Sequence, residues 1–399
     1  MTGRQIERLP GMQDLIGDRY VRLADMQESA RAHLSQSGYS SIDTPLLEEA
    51  ELFVRKSGGE LASRLYTFSD PGGHEVGLRP EFTPSVIRHY IREQKGLSLP
   101  ARFQYAGPVF RFDPEGYRQQ TQVGAEIVGG AGVDFDVEVL ELAWTGLKKL
   151  GVDAELRIGH LGVVQSLLGS YQFSEAVNLF IIGNLTALKS DYTDAEELME
   201  RAGTLGLVDA EQTQDGLSSI DRVSSEDAQR FVRGVLQGSI ATPIGRRTTE
   251  QIVARLLRKV EAAGSHGALQ DAFALACALA RLEGTASAVL DQARHIVSER
   301  GLSASALDGL EALADALSKS EIPDDRIAVD LGLARGFAYY TGAVFELVGR
   351  ADDGPVSLGG GGRYDGLVRT LGGNEDVPAL GFAYTLDRVV DLLTARIDE

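Results

Sequence analysis

Phe110 to Gly129 reads FRFDPEGYRQQTQVGAEIVG, a stretch that sets arginine, glutamine and glutamate into an otherwise apolar, strand-forming pattern. Asp113, Pro114, Glu115 and Gly116 cluster as turn-formers between two extended runs, so the spacing predicts a β-hairpin. Side chains alternate along a strand, which puts Gln120, Gln122, Gly124 and Glu126 on one face and Thr121, Val123, Ala125 and Ile127 on the other. A polar face opposite an apolar one is ordinarily solvated, so by itself it is no binding surface. Arg111, on the partner run, carries the planar donor fork that pairs bidentately with a carboxylate or phosphate, a geometry lysine does not reproduce.

Strand texture lies on both sides of this hairpin. Upstream, Leu23, Met26, Ala30 and Leu34 recur at helical spacing and stop near Gly38, and YSSIDTPLLEE reads as a strand ending near Pro45. YTFSDPGGHEVGLRPEF reads as a second hairpin with an Asp-Pro-Gly-Gly turn, followed by a helix from about Pro84. Downstream, a helix buries Val137, Leu140, Trp144 and Leu147. From about Leu161 to Pro323 helical periodicity prevails, as at Ile252, Val253, Leu256, Leu257 and Val260. Strands return in RIAVDLG, AYYTGAVFELVG and PVSLGGGGRYDGL, and a last helix carries Leu386, Val389, Val390 and Leu393. The expected class is α+β: one antiparallel sheet flanked by helices and interrupted by an inserted helical domain, with boundaries at 1–160, 161–323 and 324–399.

Composition narrows the function classes. The chain has 399 residues, 43% of them apolar, and 58 acidic against 39 basic side chains for a net charge of −19. That balance works against docking on a phosphate backbone, which rewards clustered Lys and Arg. The single cysteine, Cys277 in AFALACALA, excludes an intrachain disulfide and reads as a small core residue. The six histidines are scattered, so no metal site is expected. No apolar run approaches the ~20 residues of a membrane span, and the N-terminus lacks a signal-like apolar region, so the expected location is the cytoplasm.

Three further segments carry polar residues of interest. In LRPEFTPS, Glu81 and Thr83 suit a bound amine, while Thr83 also suits a helix cap before Pro84. In LGLARGFAYYTGAVFE, Arg335, Tyr339 and Tyr340 can clamp a planar polar ligand, and the tyrosines equally suit core or edge positions. LGGGGRYDGL permits close backbone approach to a ligand, yet it lacks the ending of a phosphate loop and in isolation reads as a tight sheet corner.

Together and in this order, these segments resemble the catalytic core of the class II aminoacyl-tRNA synthetases, and within it histidyl-tRNA synthetase. GYSSIDTPLLEEAELFVRKSG is similar to motif 1, with Pro45; RFQYAGPVFRFDPEGYRQQTQVGAEIVG to motif 2, with Arg111; GFAYTLDRVVDLL to motif 3, with Arg388. ARGFAYYTGAVFE and GGGGRYDGL resemble the two histidine-specific signatures. The resemblance implies a histidine pocket formed by Glu81, Thr83, Arg111, Gln122, Glu126, Arg335, Tyr339 and Tyr340. Departures from the synthetase pattern are the acidic loop FDPEGY, Phe82 and Ala338 at signature positions, and a chain that stops at Glu399 without an anticodon-binding domain. These departures, with Pro84 and His160, resemble the regulatory subunit of ATP phosphoribosyltransferase. That likeness implies no catalytic residues, metal or cofactor of its own, and no tRNA or membrane partner. It further implies a homodimer within a hetero-oligomer, built with a short-form catalytic subunit and inhibited by histidine. The alternative is a free-standing histidine-activating ligase, favoured by Arg111, Arg335 and Arg388.

Overall fold

The computed structural model describes residues 5–55, 63–189, 195–205, 207, 266–334 and 339–395. Its strands, numbered along the chain, are β1 (Ser40–Ser41), β2 (Leu47–Glu49), β3 (Thr67–Ser69), β4 (Glu75–Leu78), β5 (Ala101–Phe110), β6 (Gln119–Val128), β7 (Glu155–His160), β8 (Glu283–Gly284), β9 (Ile327–Asp330), β10 (Ala343–Ala351), β11 (Gly354–Arg363) and β12 (Ala379–Thr385). β5 and β6 form the expected hairpin, paired from Ala101 opposite Val128 to Phe110 opposite Gln119. Asp113 fixes the connection, its Oδ1 accepting from the backbone N–H groups of Glu115 at 3.0 Å and Gly116 at 2.8 Å.

This hairpin lies within a nine-stranded sheet of order β1-β5-β6-β12-β11-β10-β7-β9-β8. The sheet is mixed where the sequence led us to expect an antiparallel one, because β1 on β5 and β7 on β9 run parallel. Each parallel pair needs a long crossover, and the chain supplies them: 42–100 carries a second sheet and two helices, Ala50–Val54 and Thr83–Glu93, and 161–326 carries most of the described helices. The second sheet, β2-β4-β3, contains the other expected hairpin, β3 against β4. The strand expected to end near Pro45 is in fact two short ones, β1 and β2, on either side of it.

Helices Gly17–Gln36, Val133–Lys149 and Leu386–Ala395 cover one face of the large sheet. Leu34, Leu140, Leu147, Leu386 and Val389 pack there against Val123, Ala125 and Ile127, so the apolar face of β6 is the core face. On the opposite face, helix Thr83–Glu93 and its leading Phe82 pack on Ala101, Phe103, Tyr105 and Val109 of β5.

The chain divides into two compact units, Met1–Val163 with Arg281–Glu399, and Val164–Ala280. The inserted block is thus narrower than the 161–323 read from the sequence. Leu313 and Leu317 of helix Asp308–Leu317, and Ile322 after it, join the core under the large sheet. The described part of the second unit is helical, with Phe273 of helix His266–Ala280 edge-on to Phe180 at 6.1 Å. Cys277 is half-buried there, a free thiol. The periodic stretch from Ile252 to Val260 lies outside the described residues. No described helix is long and apolar enough to cross a membrane.

Candidate functional site

Register decides which side chains meet. Gly381 of β12 stands opposite Glu126, and Thr385 opposite Gln122, so two polar rungs of β6 lie four residues apart on the face away from the helical core. A cavity of about 90 Å³ opens on this face, and its walls include Glu81, Thr83, Arg111, Gln122, Tyr339, Tyr340 and Arg388. Eight of the nine polar residues singled out in the sequence therefore lie in one region, from segments up to three hundred residues apart. The ninth, Arg335, lies outside the described residues, as does Ala338.

Glu126 is set behind the wall instead of on it. It is 1% exposed, and three hydroxyl groups of wall residues donate to its carboxylate: Thr83 Oγ1 at 2.6 Å, Tyr105 OH at 2.9 Å, and Tyr364 OH. Burial, reinforced by the nearby Glu81 carboxylate, pushes Glu126 up to about 8 even though the three hydroxyl donors pull it down. Burial raises the phenols of Tyr105, Tyr364 and Tyr339 well above their usual range, so each keeps its proton. Above about 8, with Glu126 ionised, the three hydroxyl protons point inward and their oxygen lone pairs are left for the cavity; below it the carboxyl proton occupies one of those lone pairs. Tyr339 repeats the device, donating to Glu81 Oε2 at 2.7 Å. Gln122, 8% exposed, adds an Oε1 that makes no hydrogen bond among the described residues. This part of the cavity is rich in acceptors and suits a ligand rich in N–H groups.

Two arginine side chains also line the cavity. Arg111, just past β5, is oriented by its Nε, which donates to the Pro80 carbonyl at 2.8 Å. Arg388, in the first turn of helix Leu386–Ala395, donates to the Ser357 carbonyl at 3.0 Å. Thr385 and Gln120 line the wall as well. An ammonium or imidazole on the acceptors and a carboxylate on the arginines would be matched in charge and hydrogen bonding.

Several readings of the sequence change in this light. Thr83 does not cap its helix: Phe82 holds the cap position without a side-chain bond, and the Thr83 hydroxyl is used on Glu126. Arg363 is directed away from the cavity, into a fork on Asp136 at 3.0 and 2.9 Å with further bonds to the carbonyls of Gly130 and Gly132. Tyr105 and Tyr364 were missed. The signal for Tyr105 was its place on β5 opposite Gly124, a large aromatic facing a glycine whose Cβ would lie 2.6 Å from the phenolic oxygen. Among the described residues no group of three or more His, Cys, Asp or Glu is arranged to hold a metal ion.

The sequence profile of the histidyl-tRNA synthetase family matches residues 11–224 and 227–389. The chain belongs to that family. It is 30% identical over 383 residues to the histidine–tRNA ligase of Methanocaldococcus jannaschii, covering 95% of this chain and 74% of that one. Among solved structures it is similar to a histidine–tRNA ligase subunit from Alicyclobacillus acidocaldarius, with 26% identity, a TM-score of 0.62 and 99% of both chains covered. An ATP phosphoribosyltransferase regulatory subunit/histidyl-tRNA synthetase from Bacillus halodurans C shares the fold at 21% identity, with a TM-score of 0.65 over 98% of this chain and 84% of that one. The large sheet flanked by helices is the class II synthetase fold.

Proposed function

We propose that this chain is a histidine-binding regulatory subunit of a short-form ATP phosphoribosyltransferase, and that it carries no complete adenylation site of its own. The observation that carries the second half is the loop between β5 and β6. Adenylation places phosphate charge near the motif 2 and motif 3 arginines and is helped by fixed positive charge there. Here the loop instead brings a carboxylate: the N–H groups of Glu115 and Gly116, then the charges of Arg64 and Arg388, hold Asp113 below the usual carboxylate range. A negative group in the field of Arg388 competes with phosphate for it. The ligand half rests on the acceptor-rich wall of Glu81, Gln122 and the hydroxyls over Glu126, set against Arg111 and Arg388. In this reading Arg335 completes the pocket. Leu46, Leu47 and Val54, exposed on the segment resembling motif 1, form part of a homodimer contact within the larger assembly.

A second reading, a histidine-activating ligase, is supported by the likeness to histidine–tRNA ligases and by the two arginines in the cavity wall. Histidine-dependent ATP–pyrophosphate exchange on the purified chain separates the two. The regulatory reading expects none, together with histidine-sensitive activation of a short ATP phosphoribosyltransferase added in trans. Sustained exchange, or a catalytic subunit indifferent to this chain, would overturn it.

A further inference from the structure

Phe82 touches the cavity nowhere, yet it is fully buried between two groups that matter to it. On one side its ring lies parallel to Tyr105, with centroids 4.2 Å apart and an interplanar angle of 8°. On the other, the Arg79 guanidinium sits 3.6 Å from the ring centroid. Arg79 is itself anchored, donating to the Thr44 carbonyl at 2.6 Å, Thr44 Oγ1 at 3.0 Å and the Pro108 carbonyl at 3.1 Å. A third side is closed by Gly107, where a Cβ would come within 3.3 Å of Phe82 Cζ and 3.2 Å of Arg79. The phenyl ring is a spacer in a three-layer stack whose outer layer, Arg79, is fixed by hydrogen bonds to backbone and hydroxyl.

The inner layer is what the stack serves. Tyr105 has one rotatable ring and one hydroxyl, and that hydroxyl shares Glu126 Oε1 with the hydroxyl of Thr83, the residue next to Phe82 in the chain. Of these two donors, Thr83 lies in the first turn of its helix, and Tyr105 is the one whose ring stacks on Phe82.

We propose that Phe82 is a positioning residue: it clamps the Tyr105 ring so that the phenol proton is committed to Glu126 and the phenol oxygen presents an acceptor to the ligand. The ligand side of this statement rests on the histidine-pocket reading above, whereas the Phe82–Tyr105–Glu126 linkage stands without it. A leucine of similar reach would fill much of the space but would not hold an aromatic plane.

The test uses the full chain with 13C-labelled glutamate, Glu126 being assigned by the resonance lost in Glu126→Gln, and follows the carboxyl titration in the parent, Phe82→Leu, Tyr105→Phe and the double variant. Loss of one donor to an ionised carboxylate is expected to raise the Glu126 midpoint by about one pH unit in each single variant. The double variant is expected to titrate with Tyr105→Phe alone, since Phe82 acts through that hydroxyl. Histidine affinity, read by calorimetry on the same four proteins, is expected to fall about fivefold in Phe82→Leu and less than twofold more when Phe82→Leu is added to Tyr105→Phe. An unmoved midpoint in Phe82→Leu, or shifts that simply add in the double variant, overturns the proposal. If the parent takes up no histidine, the pocket reading fails while the titrations still decide the role of Phe82. Phe82→Met replaces Phe82→Leu if the latter does not fold, with the same outcomes.

Discussion

Exchanging Glu126 for glutamine removes a buried ionisable group without changing its shape, and the consequence is a change in how stability depends on pH. Glu126 has an ordinary value of 4.5 and is pushed to about 8 by burial in the folded chain. The folded state therefore binds this proton where the unfolded state has released it, and linkage makes stability fall as pH rises between those two values. Above about 8 both states are ionised and the dependence ends. At 1.36 kcal/mol per pH unit, the interval amounts to about 5 kcal/mol. The side chain is 1% exposed, so solvent screening takes little from this figure. Trp144, the single tryptophan, is buried under the same sheet and reports unfolding of the first unit by fluorescence. Urea titrations at half-unit steps from pH 4 to 9 give the curve for parent and variant. The stability difference, parent minus Glu126→Gln, is expected to decline by several kcal/mol between pH 4.5 and 8 and then level. Parallel curves would refute the argument that burial outweighs three hydroxyl donors.

His160 supplies a dependence of opposite sign: burial, aided by the charge of Arg363, lowers it to about 4, so the unfolded chain protonates first as pH falls below 6.5 and stability drops toward pH 4. His160→Gln is expected to flatten that acid limb in the same urea assay. Arg363→Ala strands Asp136, a group only 13% exposed, and should cost about 3–5 kcal/mol by denaturant midpoint, as expected for a buried ion pair broken on one side. Gly381→Ala would put a methyl group 1.7 Å from Glu126 Oε2 and 2.4 Å from the Ala125 carbonyl, so the strands must shift; histidine binding by calorimetry is expected to be lost and thermal stability lowered. Tyr339→Phe deletes the 2.7 Å bond to Glu81 and should weaken histidine about tenfold, with unchanged affinity counting against Glu81 as a ligand contact.

The large sheet was legible because alternation on β6 is nearly perfect: Val123, Ala125 and Ile127 could face only a core, which left Gln122 and Glu126 on the other side. Most of the cavity wall followed from the same stretch and from the segments around Glu81 and Tyr339. What period-two patterning does not carry is the direction of a neighbour many residues away, so the two parallel pairings escaped notice. Helical periodicity likewise marks a helix without saying which core it joins, and Leu313 and Leu317 look the same in an inserted domain as under the sheet. Tyr105 and Tyr364 escaped for a related reason. A buried tyrosine is read as packing until its hydroxyl has a partner, and the partner, Glu126, is supplied by tertiary structure alone.

Gly359, Gly360, Gly381 and Ala383 give the cavity a floor made of main chain, with barely a side chain on it. Peptide groups engaged in strand pairing have their donors and acceptors spoken for, so such a floor is electrically quiet and identical for every ligand that enters. Discrimination is left to the walls, and these mix strand residues, Tyr105 on β5 and Gln120 and Gln122 on β6, with residues outside the strands at 81, 83, 111, 339–340, 364 and 388. The wall residues outside the strands can change without altering a strand pairing, which is how one scaffold can be turned from one task to another by few substitutions.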